Sequence, residues 1–377
     1  MSGILNILCL YINLEISSPS QSIGRIWVKK IGYYCLHKPK PKAEDWVLLI
    51  DESIGIGQEK LLLILGIRAS MIDFTRPLKI QDMEPIIIKS GTAWTAVKIA
   101  KELEACKETL GGILYATTDG SSSIKKALQL SKIEHVYDIT HAIAIMLEKM
   151  YKQNPEFKDL VYQMGQMRLK YQCSQYAHII PPNQRSKSRF LNIEIITAWG
   201  DKVLKTLKKG DLTPQEKVLL MWVEDKRSFI EEMIQIIGIV KKISIILKNN
   251  GLNHSTKRQS MQVIKANNRT KGQKVFNLML KEYLKKYIKQ TKKKSKTLLC
   301  TSDVIESTFG KYKNELSKNP MNGITDLALI ISALTSNLDD YEIKEAIESC
   351  KCSMIKEWSN INLCDSLSVK RKAVLYN

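Results

Sequence analysis

The chain has 377 residues, 44% hydrophobic and 25% charged, so wholesale disorder is excluded and there is room for two or three domains. Fifty-eight Lys and Arg against 38 Asp and Glu leave a net charge of +20 and an isoelectric point near 9.4, which points to a polyanionic partner such as nucleic acid. Eight cysteines without paired CxxC spacing argue against a disulfide framework and imply reduced thiols in a cytoplasmic setting.

In chain order, the first segment (residues 1–38) reads as helical. Its opening run GILNILCLYINL is too short to cross a bilayer and lacks a basic flank, and no other stretch is a membrane candidate. After the break SPSQS, the run SIGRIWVKKIGYY puts Ile23, Ile26, Trp27 and Ile31 on one helical face, with Arg25, Lys29 and Lys30 off it. Two readings are balanced here. One is a partial helix-turn-helix whose Arg25, Lys29 and Lys30 meet DNA, and the other is an amphipathic helix packed on the next domain. Pro39 and Pro41 in HKPKPK then make a stiff basic linker.

Residues 39–153 change period. DWVLLIDES is a continuous apolar run, as expected of a strand buried on both faces. KLLLILGIRA reads as its hairpin partner and PIIIK as a third strand. TAWTAVKIAKELEAC follows as a helix with Thr92 as its expected cap. GGILYATTDG is a strand ending in a polar turn, SSSIKKALQLS is a helix, and IEHVYDITHAIAIMLEKMYK is a short strand entering another helix. Three antiparallel-type strands, then helix, strand, helix, strand and helix, match the ribonuclease H-like order. The expected fold class is therefore α/β, a ribonuclease H-like mixed sheet flanked by helices.

Residues 154–300 read as a mainly α-helical, basic insertion. Within it, residues 241–300 carry 17 Lys or Arg and a single acid, Glu282, whereas residues 43–150 have 12 basic and 15 acidic side chains. A basic run of that length favours nucleic-acid contact over a merely solvated surface, with Lys292, Lys293 and Lys294 as candidates. Residues 301–345 return to the core through TSDVIESTFGKYKNEL, a helix start in which Ser302 or Asp303 is the expected cap. Helical patterning continues from Thr325 to about Trp358, and residues 346–377 form a C-terminal tail whose last residues read as loose.

Three acids stand out in this frame. Asp51 ends a buried strand after four apolar residues, where a carboxylate is costly unless exposed, paired or metal-bound. Asp119 follows the strand ILYATT at a strand carboxyl end, where ligand sites of open α/β sheets gather. In the expected topology these two strands are neighbours, and Glu306 comes over them from a late helix. Hard cations such as Mg2+ or Mn2+ prefer oxygen ligands, and two such ions about 4 Å apart serve an in-line phosphodiester displacement. Each acid also has an ordinary alternative. Asp119-Gly120 is good turn chemistry, and Glu306 has the spacing of a capping box.

The order WVLLIDES, YATTDG, YDITH and SDVIESTFGKYK resembles DDE-type transposases of bacterial insertion sequences, which have a ribonuclease H-like catalytic core. The resemblance spans roughly residues 20–340. It implies that Asp51, Asp119 and Glu306 are the catalytic, metal-holding triad. It also implies a DNA-contacting helical insertion, two Mg2+ or Mn2+ ions, transposon-end and target DNA as partners, and a homodimer or higher oligomer on nucleoid-associated DNA. The DxxH of Asp138 and His141 is similar to a motif of hAT-type transposases. There it would lie near the active site, whereas the ordinary reading makes Asp138 a helix cap. Lys311 and Lys313, on the same helix as Glu306, are either phosphate contacts or solvated lysines. Trp199 and Trp222 are either core residues or, less readily, stacking platforms. The expected function is metal-dependent DNA cleavage and strand transfer. The alternatives are a ribonuclease H-like nuclease or resolvase, and a DNA-binding relic that has lost catalysis.

Overall fold

The computed structural model describes residues 19–56, 59–184, 190, 193–291, 297–315, 323–335 and 337–376. It divides into two compact units, one formed by Met1–Val136 with Ser302–Asn377 and the other by Tyr137–Thr301.

The first unit is built on β1 (Ala43–Ile56), β2 (Glu59–Arg68), β3 (Glu84–Gly91), β4 (Gly111–Thr118) and β5 (Glu134–Tyr137). The spatial order is β3-β2-β1-β4-β5. β1–β2 and β2–β3 are antiparallel, and β4 runs parallel to β1. With helix α2 (Ala96–Leu110) between β3 and β4, and α3 (Ser122–Leu130) between β4 and β5, this is the ribonuclease H-like arrangement expected from the apolar runs. α1 (Gln21–His37) precedes the sheet.

Two-residue alternation sorts the side chains of β1. Trp46, Leu48 and Ile50 enter one core with Ile99 and Leu103 of α2 and Ile124 and Leu128 of α3. Val47, Leu49 and Asp51 take the opposite face and are also buried. The continuous apolar run arises because both faces are covered. On that second side α11 (Asp303–Glu315) packs against β1, burying Val304, Ile305, Phe309 and Tyr312.

The cap of α2 is Thr95, not the expected Thr92, and its hydroxyl accepts the Lys98 N–H. Trp94 explains the shift: it is buried, donates to the Lys60 carbonyl at 3.0 Å and lies against Gly91, so the helix starts only after it.

α1 packs on the C-terminal helices and β3 of the same unit. Lys29 pairs with Asp326 at 2.8 Å, Lys30 donates to the Ile347 carbonyl at 2.5 Å, and Tyr34 donates to Glu345 at 2.8 Å. Gly32 lies so close that a Cβ there would sit 2.0 Å from the Leu329 carbonyl oxygen. This is the packed-helix alternative for that segment. The first helix expected before it falls at residues 1–18, outside the described residues. The helix expected to about Trp358 runs to Asn362 as Cys352–Asn362, burying Ile355 and Trp358, and the residues expected to be loose beyond it carry a further helix, Leu367–Leu375.

The second unit is helical: α4 (Ile139–Tyr151), α5 (Pro155–Tyr171), α6 (Ile193–Lys209), α7 (Pro214–Leu220), α8 (Arg227–Asn250), α9 (His254–Ala266) and α10 (Lys271–Thr291). It opens at Tyr137, earlier than the expected residue 154, because α4 packs against α8 and α10 and the Tyr283 hydroxyl donates to the Tyr137 carbonyl at 2.7 Å. The Ile139 N–H donates to the Cys300 carbonyl at 2.9 Å, and Leu252 bridges to Leu298, so both ends of the unit are tied to its interior. Among the described residues the cysteines are free thiols, and no helix is long and apolar enough to cross a membrane.

Candidate active site

Register pairs the residues that precede Asp51 and Asp119. Ile50 of β1 is the partner of Thr118, the last residue of β4, so Asp51 continues along β1 while Asp119 is the first residue past the end of β4; adjacent strands run about 4.8 Å apart. Tyr115 and Thr117 alternate with Ala116, which belongs to the core under α2 and α3, and Asp119 follows in the turn after β4. Asp51 is 8% exposed. Glu306 lies in the first turn of α11, the helix over this face, and its side chain is exposed. Because the helix begins at Asp303, Ser302 precedes it and accepts the Ile305 N–H through its carbonyl at 2.9 Å.

Short hydrogen bonds fix the two aspartates locally. The Glu52 N–H donates to Asp51 Oδ1 at 2.7 Å, and the Ser121 N–H donates to Asp119 Oδ1 at 2.9 Å. Gly120 between them has φ +85°, a left-handed conformation that favours glycine. The turn chemistry of Asp119-Gly120 is therefore present beside the strand-end placement. Below it, Thr118 is fully buried; its hydroxyl meets His135 Nε2 of β5 at 2.9 Å and accepts the Gly120 N–H at 3.1 Å. The sequence reading assigned His135 no site role. Glu52, whose Oε1 accepts from the Ser121 hydroxyl at 2.9 Å, was likewise missed. Glu52 is signalled only by its adjacency to Asp51, and His135 by nothing in the sequence pattern.

Farther along α11, Tyr312 is buried, and among the described residues its hydroxyl has no hydrogen-bond partner. Burial, helped by the charges of Glu59 and Asp326, pushes its hydroxyl above the usual range. Lys311 and Lys313 lie exposed on the same helix.

Among the described residues no three His, Cys, Asp or Glu side chains are gathered into a group that could hold a metal ion. Asp51 and Asp119 fit a narrower requirement. Mg2+ keeps several waters and typically takes one or two carboxylates plus substrate phosphate oxygens.

Asp138 and His141 belong to the helical unit. Asp138 is fully buried and caps α4, its Oδ1 accepting the His141 N–H at 2.9 Å, which is the ordinary alternative for this pair. Trp199 and Trp222 are half-buried with ring centroids 6.0 Å apart, and Trp199 donates to the Ile179 carbonyl at 3.3 Å. Trp199 also lines a groove of about 510 Å3 with Ile180, Pro182 and Lys202.

The basic candidates divide. Arg25 is exposed, whereas Lys29 and Lys30 are engaged inside the sheet unit by Asp326 and Ile347. Lys292, Lys293, Lys294 and the RSKSR run lie outside the described residues. α10 buries Phe276, Leu280, Leu284 and Ile288 on one face and leaves Lys271, Lys274, Lys285, Lys286 and Lys289 exposed on the other. Its 3.6-residue period therefore sorts charge from core.

No family model and no curated protein matches the chain. Among solved structures, the Drosophila P element transposase strand transfer complex is similar, at 11% identity and a TM-score of 0.43, covering 89% of this chain and 88% of that one.

Proposed function

We propose that this protein is a transposase-like DNA strand-processing enzyme of the DDE type. Its reaction would be metal-dependent cleavage of phosphodiester bonds followed by transfer of the freed 3′-hydroxyl into a second DNA. The observation that supports this reading is the pairing of Ile50 with Thr118 on the neighbouring parallel strands β1 and β4, the residues that immediately precede Asp51 and Asp119.

The two aspartates, joined by Glu306 from α11, are the proposed holders of two Mg2+ or Mn2+ ions. Bound there, the ions would lower the pKa of an attacking water or hydroxyl and neutralise charge on the leaving oxygen. The protein's own part is to present acceptor oxygens from a buried strand and a fixed turn, so that little reorganisation accompanies binding. The exposed lysines of α10 in the helical unit, and separately Lys311 and Lys313 in the sheet unit, would contact phosphates without reading base sequence. Assembly as a homodimer or larger oligomer on DNA belongs to the same proposal.

The test is incubation of the full chain with end-like and random DNA in Mg2+ or Mn2+, beside the Asp119→Asn variant. Divalent-dependent nicking that disappears in the variant is expected; cleavage that survives it overturns the carboxylate mechanism. A second reading, a DNA-binding protein that has lost the reaction, is favoured by the absence of a three-acid group among the described residues. Binding without cleavage at any metal concentration would select it.

A further inference from the structure

A chain of contacts joins the two aspartates through residues with no assigned role. Glu52 gives its backbone N–H to Asp51 Oδ1 at 2.7 Å, and its own Oε1 accepts from the Ser121 hydroxyl at 2.9 Å. Ser121 in turn gives its backbone N–H to Asp119 Oδ1 at 2.9 Å. The path therefore runs Asp51, Glu52, Ser121, Asp119. Its one side-chain link spans from β1 to the residue that precedes α3.

Glu52 stands where the register of β1 with β2 shifts, and its side chain reaches Ser121, the residue before α3. Like charges placed near one another repel, so the separation and orientation of the two carboxylates depend on the groups that hold them.

We propose that Glu52 and Ser121 are positioning residues, a cross-strand brace that fixes the orientation and separation of the Asp51 and Asp119 carboxylates for divalent-cation binding. This rests on the metal-dependent reading above and deepens it. Removing either side chain frees the start of α3 from β1. The Ser121 N–H then no longer holds Asp119 at a set distance from Asp51.

The test is Mn2+ binding to the full-length protein, read from the spin-resonance signal of the free aqua ion, with thermal midpoints measured alongside. Glu52→Ala and Ser121→Ala are each expected to weaken Mn2+ binding by about 10–100-fold, the usual effect of removing a group that orients a ligand. The double variant should be no worse than either single, since both break one link. Glu52→Gln keeps an acceptor oxygen for the Ser121 hydroxyl and should bind close to wild type. Should Glu52→Ala fail to fold, Ser121→Ala, which removes one oxygen from a half-exposed side chain, carries the comparison. The brace is overturned if Glu52→Gln loses as much as Glu52→Ala, because Glu52 would then act through its charge. It is also overturned if both alanine variants bind like wild type while Asp119→Asn does not. A wild-type chain that takes up no Mn2+ overturns the metal reading itself, and the brace with it.

Discussion

Replacing two glycines of one helix by alanine should have opposite effects. Gly24 and Gly32 both lie in α1; a Cβ on Gly24 meets nothing within 4 Å, whereas one on Gly32 falls 2.0 Å from the Leu329 carbonyl oxygen and 2.7 Å from its carbon. Alanine is favoured over glycine inside a helix by about 1 kcal/mol, so Gly24→Ala should stabilise the sheet unit by up to that amount. At Gly32 the same gain opposes an overpacking cost of about 3 kcal/mol. That is the upper end of the usual range, because the obstacle is backbone and must move by more than an ångström. The net expectation is a loss of about 2 kcal/mol. Urea denaturation followed by tryptophan fluorescence reads both changes. If the two substitutions shift the midpoint in the same direction, α1 does not dock on the Asp326–Leu329 turn, and Lys29 and Lys30 return to the surface as candidates for DNA contact.

Further expectations bear on the site and its surroundings. Thr118→Val keeps shape but removes the oxygen that meets His135 and accepts the Gly120 N–H; at about 1 kcal/mol per hydrogen bond it should cost about 2 kcal/mol, and an unchanged urea midpoint would contradict those contacts. Burial holds the Glu59 carboxyl above its ordinary 4.5, outweighing the Ile324 N–H it accepts, so the native state binds that proton more tightly than the unfolded chain. The associated stability is fullest below pH 4.5 and falls as pH rises through the raised value. Glu59→Gln should therefore be more stable than wild type at neutral pH, with the difference closing in acid; melting temperatures across pH that stay parallel would refute this. Replacing Lys285, Lys286 and Lys289 together by alanine should weaken duplex binding uniformly across sequences. The dependence of log K on log salt should flatten by about 0.9 per lost phosphate contact, and an unchanged slope would remove α10 from the interface.

The sheet was legible because β1, β2 and β4 are covered on both faces and so read as unbroken apolar runs. From that order alone, β1 and β4 are expected to be neighbours, which the Ile50–Thr118 pairing bears out; Asp119 itself follows the end of β4. Less was visible wherever a distant side chain decides a local choice. Trp94 delays α2 by reaching Lys60, and Tyr283 draws the start of α4 into the helical unit by bonding Tyr137. The contact of Glu52 with Ser121 joins residues 69 positions apart and follows no periodicity. α1 was balanced between two roles because an amphipathic basic helix looks alike in both. Only the backbone approach at Gly32 separates them, and a glycine in sequence does not announce what it lies against.

The order of synthesis gives the division of the sheet unit another meaning. β1 to β5 are made first, but α11, which packs against the Asp51 face of β1, follows only after Tyr137–Thr301. At ordinary elongation rates that interval lasts on the order of ten to thirty seconds, long compared with the formation of hairpins and helices. During that time Val47, Leu49 and Asp51 lack their α11 cover, and Glu306 does not yet exist. Under the proposed function, the cutting centre is complete only once α11 has been made, after the helical unit.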